Sequence, residues 1–187
     1  TISLQGSGAL HGRLHWSQNF DEVQDFEGQI RGLSAGTGLM SDADFNAGTR
    51  STPLGDPKAG VSADLDALAA YVASLNSCPA SPQRVSDGTL SPDGIAGREV
   101  FRRENCAACH SGERFSDSAE NNLHDIGTLQ ATSGMRLGQP LAGIDTPSLR
   151  GVWSTAPYLH NGSALGIADA VAAHEGVSID SNDMQQL

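Results

Sequence analysis

The chain has 187 residues, enough for one large domain or two small ones. Its 22 acidic against 11 basic residues give a formal charge of −11, which disfavours nucleic acid and anionic membrane surfaces and favours basic or neutral partners, although most of this charge serves solubility. Glycine is abundant, aromatic residues make up only 5%, and no run of apolar residues is long enough to span a membrane, so the chain reads as loop-rich and short of large side chains for a core.

In chain order, Phe20, Val23, Phe26 and Ile30 recur at helical spacing and predict a helix within 15–30. Residues 33–61 are rich in Gly, Ser, Asp and Thr, with Pro53 and Pro57 as breakers, and read as loop. From Ser62 the pattern turns helical again: Ser62 is the expected N-cap, Asp64 sits in the first turn, and Leu65, Leu68, Val72 and Leu75 form a buried stripe. Residues 76–90 carry two prolines and read as a linker. Ser91 followed by Pro92 is the favoured start of a helix, expected over 92–103. Residues 111–150 look irregular. A last helix is expected from about Leu165, with Ser163 as its cap and His174 on it, facing inwards with Ile167 and Val171.

The helix over 92–103 delivers the chain into CAACH, Cys106 to His110. Two cysteines separated by two residues and followed directly by histidine form the c-type haem signature. The thiols add to two vinyl groups on one edge of the porphyrin, and the adjacent imidazole then lies under the iron. A redox CxxC or half a zinc site is the alternative, but zinc needs two more ligands at similar spacing, and the remaining cysteine, Cys78, is far away and alone. A buried haem also supplies the apolar centre that the composition lacks. Covalent haem attachment implies a periplasmic or secreted location. The start at Thr1, without an initiator Met, predicts a processed or excised chain. Cys78 is either buried and reduced or paired with chain outside this sequence.

An internal repeat accompanies the motif. TISLQG at Thr1 matches TPSLRG at Thr146; with Trp16 laid on His160, Val23 falls on Ile167, Asp25 on Asp169 and Ile30 on His174. SADLDAL at Ser62 then matches SNDMQQL at Ser181. Two similar halves follow one another, and the expectation is that both ends of a longer parent are cut.

The stretches TPSLRGVWSTAPYLHNGS (146–163) and NLHDIGTL (122–129), taken with CAACH, resemble the C-terminal half of the bacterial di-haem cytochrome c peroxidase family, which includes the enzyme that matures tryptophan tryptophylquinone. HWSQNFDEVQDFEGQIR (15–31) is similar to the family's first-domain Trp-Asp-Gly-Arg segment, and Gly97 with Phe101 resembles the glycine–aromatic face of a cytochrome c N-terminal helix, which crosses a C-terminal helix. The resemblance implies a mainly α fold: a cytochrome c-like haem domain at 79–187 packed on a reduced, haem-free cytochrome-like domain at 1–78.

In the family the high-potential haem takes a methionine fourteen residues after the histidine of Ala-Pro-Tyr-x-His. That histidine corresponds to His160, and the position fourteen on is His174. The resemblance therefore implies bis-histidine ligation by His110 and His174, with Met135 as the alternative distal ligand and Met40 and Met184 behind it. It places His160 and His124 near the haem edge rather than on iron. Arg150 could pair with a propionate or be a surface arginine. Trp16 falls where the family has a tryptophan between haems, as a haem-edge contact, a hop site or plain packing. An interdomain calcium would take the carbonyls of Thr155 and Pro157, while the family's first-domain asparagine has no match, Gly6 standing near its place. His11 and His15 read as solvated loop. The implied function is a one-haem electron-transfer domain of a larger peroxidase-like protein, served by a redox partner or fused enzyme domain. The alternatives are a peroxidase using an open or second haem, and a sensor whose distal ligand is displaced.

Overall fold

A computed structural model describes residues 12–33 and 36–185. Short helices joined by long, hydrogen-bonded loops make up the fold: α1 (Glu27–Leu33), α2 (Asp42–Phe45), α3 (Ala63–Ser74), α4 (Pro92–Arg103), α5 (Ile167–Ala172) and α6 (Ser181–Met184), with a two-stranded antiparallel ribbon of β1 (Met135–Arg136) and β2 (Gln139–Pro140). No helix among the described residues is long and apolar enough to cross a membrane.

Two expected helices form with their expected caps. Ser62 Oγ accepts from Leu65 N–H at the start of α3, and Ser91 Oγ accepts from Gly94 N–H at the start of α4, where Pro92 takes a first-turn position that needs no donor. Of the α3 stripe only Leu65 is fully buried; Leu68, Val72 and Leu75 are half-buried. The first expected helix starts later than its apolar spacing implies. Phe20 belongs to a tight turn, Val23–Phe26 is a 3₁₀ segment, and only then does α1 begin. The loop expected over 33–61 contains α2, capped by Ser41. The last expected helix is also shorter. Its N-cap is Gly166, not Ser163, because the Asp169 carboxylate accepts from Gly166 N–H. It ends at Ala172, so His174 lies just beyond the helix in the following turn rather than on it.

The first half of the chain is held by buried charge more than by apolar packing. Glu27 is fully buried; its carboxylate accepts from Arg31 Nε at 2.7 Å and from the N–H groups of Leu39 and Met40. Asp25 and Lys58 form an ion pair in which both side chains are 2% exposed, and Asp25 also accepts from Asp21 N–H. Glu22 takes the N–H groups of Lys58 and Ala59, while Gln24 reaches Asp66. These bonds pin the 3₁₀ segment to the loop before α3, and Leu65 plugs the space beneath.

The internal repeat is visible in the backbone. Leu14 N–H donates to Phe20 O, closing a turn with positive φ at His15 (68°) and Gln18 (53°). Tyr158 N–H donates to Ala164 O, closing a turn with positive φ at Leu159 (67°) and Gly162 (70°). These are the same positions under the alignment that lays Trp16 on His160. Residues at positive φ are uncommon outside glycine, so a matched pair in both turns is a specific likeness. The later block matches less well: α3 is capped by Ser62, whereas α6 is capped by Asp180, one position earlier than the repeat requires. The first copy of the TISLQG block, with Gly6 and His11, lies outside the described residues, as does the end of the second SADLDAL-like block.

Removing one member of the buried ion pair strands the other. Lys58→Met is expected to lower unfolding stability by about 3–5 kcal/mol, and the double change Lys58→Met with Asp25→Asn should recover part of it. Urea unfolding of the two variants checks this; equal losses would mean the pair is not coupled.

Candidate functional site

α4 ends at Arg103, and Asn105, at φ 56°, turns the chain sharply into a 3₁₀ turn, Cys106–Ala108. His110 N–H donates back to Cys106 O at 3.0 Å, so both cysteines and the histidine project from one compact turn. Both thiols are free and half-buried, and burial raises their pKa. His110 is half-buried; burial lowers its pKa and favours the neutral imidazole, against the opposing pull of its hydrogen bond to Phe115 O.

Facing it is His174. The two ring centres are 6.5 Å apart and the planes are inclined at 56°. Two metal–nitrogen bonds of roughly 2 Å each, plus the roughly 1 Å from each nitrogen to its ring centre, give about 6 Å for two imidazoles on opposite sides of one iron. Both Nδ1 atoms are already engaged. His110 Nδ1 donates to Phe115 O at 3.0 Å and His174 Nδ1 to Ala170 O at 2.8 Å. A carbonyl accepts only from N–H, so each ring is held in the tautomer that leaves Nε2 with its lone pair. The Cys106–Cys109–His110 turn and the facing His174 thus fit a covalently held haem. So does the apolar balance. Beyond residue 78 only Val100, Ile144 and Ala164 are buried apolar residues among those described, whereas Ile95, Phe115, Leu137 and Trp153 are exposed. An apolar macrocycle gives such a chain the core its own side chains do not.

The other expected site residues are spread around this pair. His160 Nε2 meets Ser133 Oγ at 2.8 Å; its Nδ1 is buried without a hydrogen-bond partner, and burial lowers the pKa of the ring. Trp16 donates from Nε1 to Ser133 O at 3.2 Å and lies 6.3 Å from the His160 ring, so the two residues equated by the repeat sit side by side. His15, expected as solvated loop, instead stacks on Trp16 with centroids 3.7 Å apart, and burial lowers its pKa. His124 pairs with Asp117 at 2.7 Å; burial works to raise the Asp117 pKa, but hydrogen bonds from Thr146, His124 and Asn122 outweigh it and hold it low. Cys109 Sγ lies within 4.8 Å of both groups, but a thioether at Cys109 leaves only the His124–Asp117 hydrogen bond. Arg150 is half-buried beside Ser148. Met135 is 62% exposed on β1, while Met40 is buried at the Glu27 network and Met184 is half-buried on α6. Thr155 hydrogen-bonds back to Val152 O, and Pro157 follows it on the exposed surface. Cys78 lies against Gly151, where an added Cβ would sit 3.4 Å from its sulfur.

Sequence reasoning passed over several residues that position the site. Gln18 is fully buried and donates to Asp145 and to Asn122 O; Arg136 donates to the carbonyls of Ser17 and Gln18. They lock the Trp16 turn against the chain around Ser133. Gly127 supports the distal side: Glu175 N–H donates to Ile126 O, and a Cβ on Gly127 would come within 3.0 Å of Glu175 Cβ. The NLHDIGTL stretch held the signal, since its glycine stands at φ 84°, but its contact with the residue after His174 has no trace in the sequence.

Comparison with known proteins bears on the fold and the cofactor class. Residues 140–172 match a family model described as RoxA-like, cytochrome c-like. Methylamine utilization protein MauG of Methylophilus methylotrophus is 32% identical over 110 residues, covering 52% of this chain and 32% of that protein. Hydrazine synthase subunit gamma of Kuenenia stuttgartiensis is 26% identical over 141 residues, covering 57% of this chain and 40% of that protein. The chain therefore spans about a third of the length of the curated relatives it matches. In fold it is similar to a MauG-like protein associated with microbial copper homeostasis, with TM-score 0.61 and 16% identity over all of this chain and 70% of the other. The fold is cytochrome c-like, and the match implies c-type haem.

Gly127→Val combines a strained backbone with a collision against Glu175. It is expected to cost about 1–3 kcal/mol of stability. It should also disturb the His174 side of the site in the near-UV and Soret circular dichroism. An unchanged spectrum and midpoint would show that Gly127 does not support that turn.

Proposed function

We propose, from the premise that this chain belongs to the di-haem cytochrome c peroxidase-like family, that it is an electron-transfer unit of a larger exported protein. In this reading one haem is held by thioethers to Cys106 and Cys109 and ligated by His110 and His174. The observation that carries it is the 6.5 Å spacing of the two imidazoles with both Nδ1 atoms committed to backbone carbonyls. When bound, a c-type haem supplies a one-electron iron couple. With His110 and His174 both holding the iron, the chain would offer small oxidants no open coordination site. Imidazole in place of thioether favours the ferric state and sets a lower potential than a His/Met site. His174 is preferred to Met135 because its ring faces His110 at 6.5 Å, whereas Met135 is 62% exposed. In this reading His160, whose buried Nδ1 has no hydrogen-bond partner, would donate to a propionate or to ordered water, and Arg150 is assigned the same role.

We place the unit outside the cytoplasm, as covalent haem attachment requires, and read residues 1–78 as a reduced, haem-free copy of the domain at 79–187. Ile30 stands where the repeat puts His174, so the first copy has no distal ligand at that position. Calcium at the carbonyls of Thr155 and Pro157 remains part of the proposal, with a redox partner or fused enzyme domain as electron source or sink. A peroxidase-like enzyme is the second reading. It is favoured by the position of His174 in a turn past the end of α5, beside Gly176, rather than on the helix itself.

Potentiometry separates the two. His174→Met is expected to raise the midpoint potential and change the optical spectrum, and His174→Gly to confer peroxide turnover that the parent lacks. If potential and spectrum are the same in His174→Met, His174 does not bind iron. Rapid peroxide turnover by the unaltered chain would favour the enzyme.

A further inference from the structure

A pocket of about 250 Å³ lies in the first half of the chain, away from the CAACH turn, between α1 and the loop that follows α2. Its apolar walls include Phe20 and Phe45. Arg31 covers one face of Phe45, with its guanidinium 4.5 Å from the ring centre. Asp25 and Arg50 supply charge at the pocket. The two charges are not equivalent. Asp25 is neutralised by the buried Lys58 ammonium and accepts from Asp21 N–H, so its oxygens are committed. Arg50 makes only two long bonds, at 3.3 Å each, to the carbonyls of Pro57 and Asp44, and forms no ion pair among the described residues. Asp56 is within electrostatic reach of Arg50, but its carboxylate accepts from Thr49 N–H, so the pocket carries a guanidinium with no direct ion pair among the described residues, on a chain of net charge −11. Guanidinium binds carboxylate through two parallel N–H bonds, more strongly than it binds carbonyls.

Gly28 gives the second observation. It stands in α1 at the pocket wall, and a Cβ built there meets only Phe45 Cζ, at 4.0 Å. Glycine inside a helix costs about 1 kcal/mol relative to alanine, and a larger side chain here would occupy the pocket. The volume is below the roughly 300–1,000 Å³ of pockets for drug-sized ligands and far too small for a haem, so the fitting ligand is one ring or short chain bearing one anionic group.

We propose that this pocket binds a small organic acid, a carboxylate on a flat apolar body, with Arg50 as its anion partner and Phe20 and Phe45 as its walls. The test is isothermal titration of the haem-loaded full chain with benzoate, and with benzamide as the neutral probe of the same shape. Saturable one-to-one benzoate binding is expected, with benzamide weaker by a factor of about ten or more. Arg50→Gln should remove that discrimination, Arg50→Lys should keep part of it, and Gly28→Leu should abolish binding while Gly28→Ala leaves it in place. The haem spectrum should not change in any of them, which checks folding independently. No saturation up to roughly 10 mM benzoate, equal binding of benzamide, or full binding by a correctly folded Gly28→Leu variant would each overturn the proposal.

Discussion

Two backbone carbonyls set the orientation of the site. Phe115 O holds Nδ1 of His110 and Ala170 O holds Nδ1 of His174, so each imidazole turns its Nε2 away from its own backbone. A hydrogen bond to neutral imidazole is worth about 0.5–1.5 kcal/mol net, yet it fixes tautomer and ring direction together. The rest of the second half follows from this. The turn after Asn105 brings His110 to Phe115, and the short α5 ends early enough to leave His174 in the following turn, still within reach of the Ala170 carbonyl. Gly127 lets the NLHDIGTL stretch press against that turn, and the sparse core of this half leaves an apolar centre to the cofactor.

The first half uses a different physics. Its centre is the buried carboxylates of Glu27 and Asp25 with the half-buried Glu22 beside them, each satisfied by backbone N–H groups or a buried cation. Such networks hold only when every member is paired, because an unpaired buried charge costs several kcal/mol. They hold one geometry in place without a large apolar core, which suits a chain with few aromatics. The Trp16 turn joins the halves. Its carbonyls and the Gln18 amide bond to residues between Asn122 and Asp145, so the residue equated with His160 by the repeat ends up beside His160 itself.

Much of this was legible in the sequence. CAACH, the Ser62 and Ser91 caps, and the repeat that equates Ile30 with His174 all follow from local chemistry and spacing. The repeat reappears as matched positive-φ positions in two turns. What was not legible depends on tertiary pairing. The apolar spacing of Phe20, Val23, Phe26 and Ile30 predicted a helix, but of these four only Phe20 is buried, and Gln24, Asp25 and Glu27 are buried with it because their partners come from residues up to 42 positions away. His15 looked solvated because nothing local shows that Trp16 stacks on it. The start of α5 lies at Gly166 rather than Ser163 because Asp169 caps Gly166, a glycine start that resembles loop.

The central claim is that His110 and His174 share one iron. Low-temperature electron paramagnetic resonance of the ferric, haem-loaded chain tests it most directly. A low-spin bis-imidazole spectrum, with no far-red methionine-to-iron band in the optical spectrum of the same sample, is the expected result. A high-spin ferric signal, or a methionine band, would contradict it.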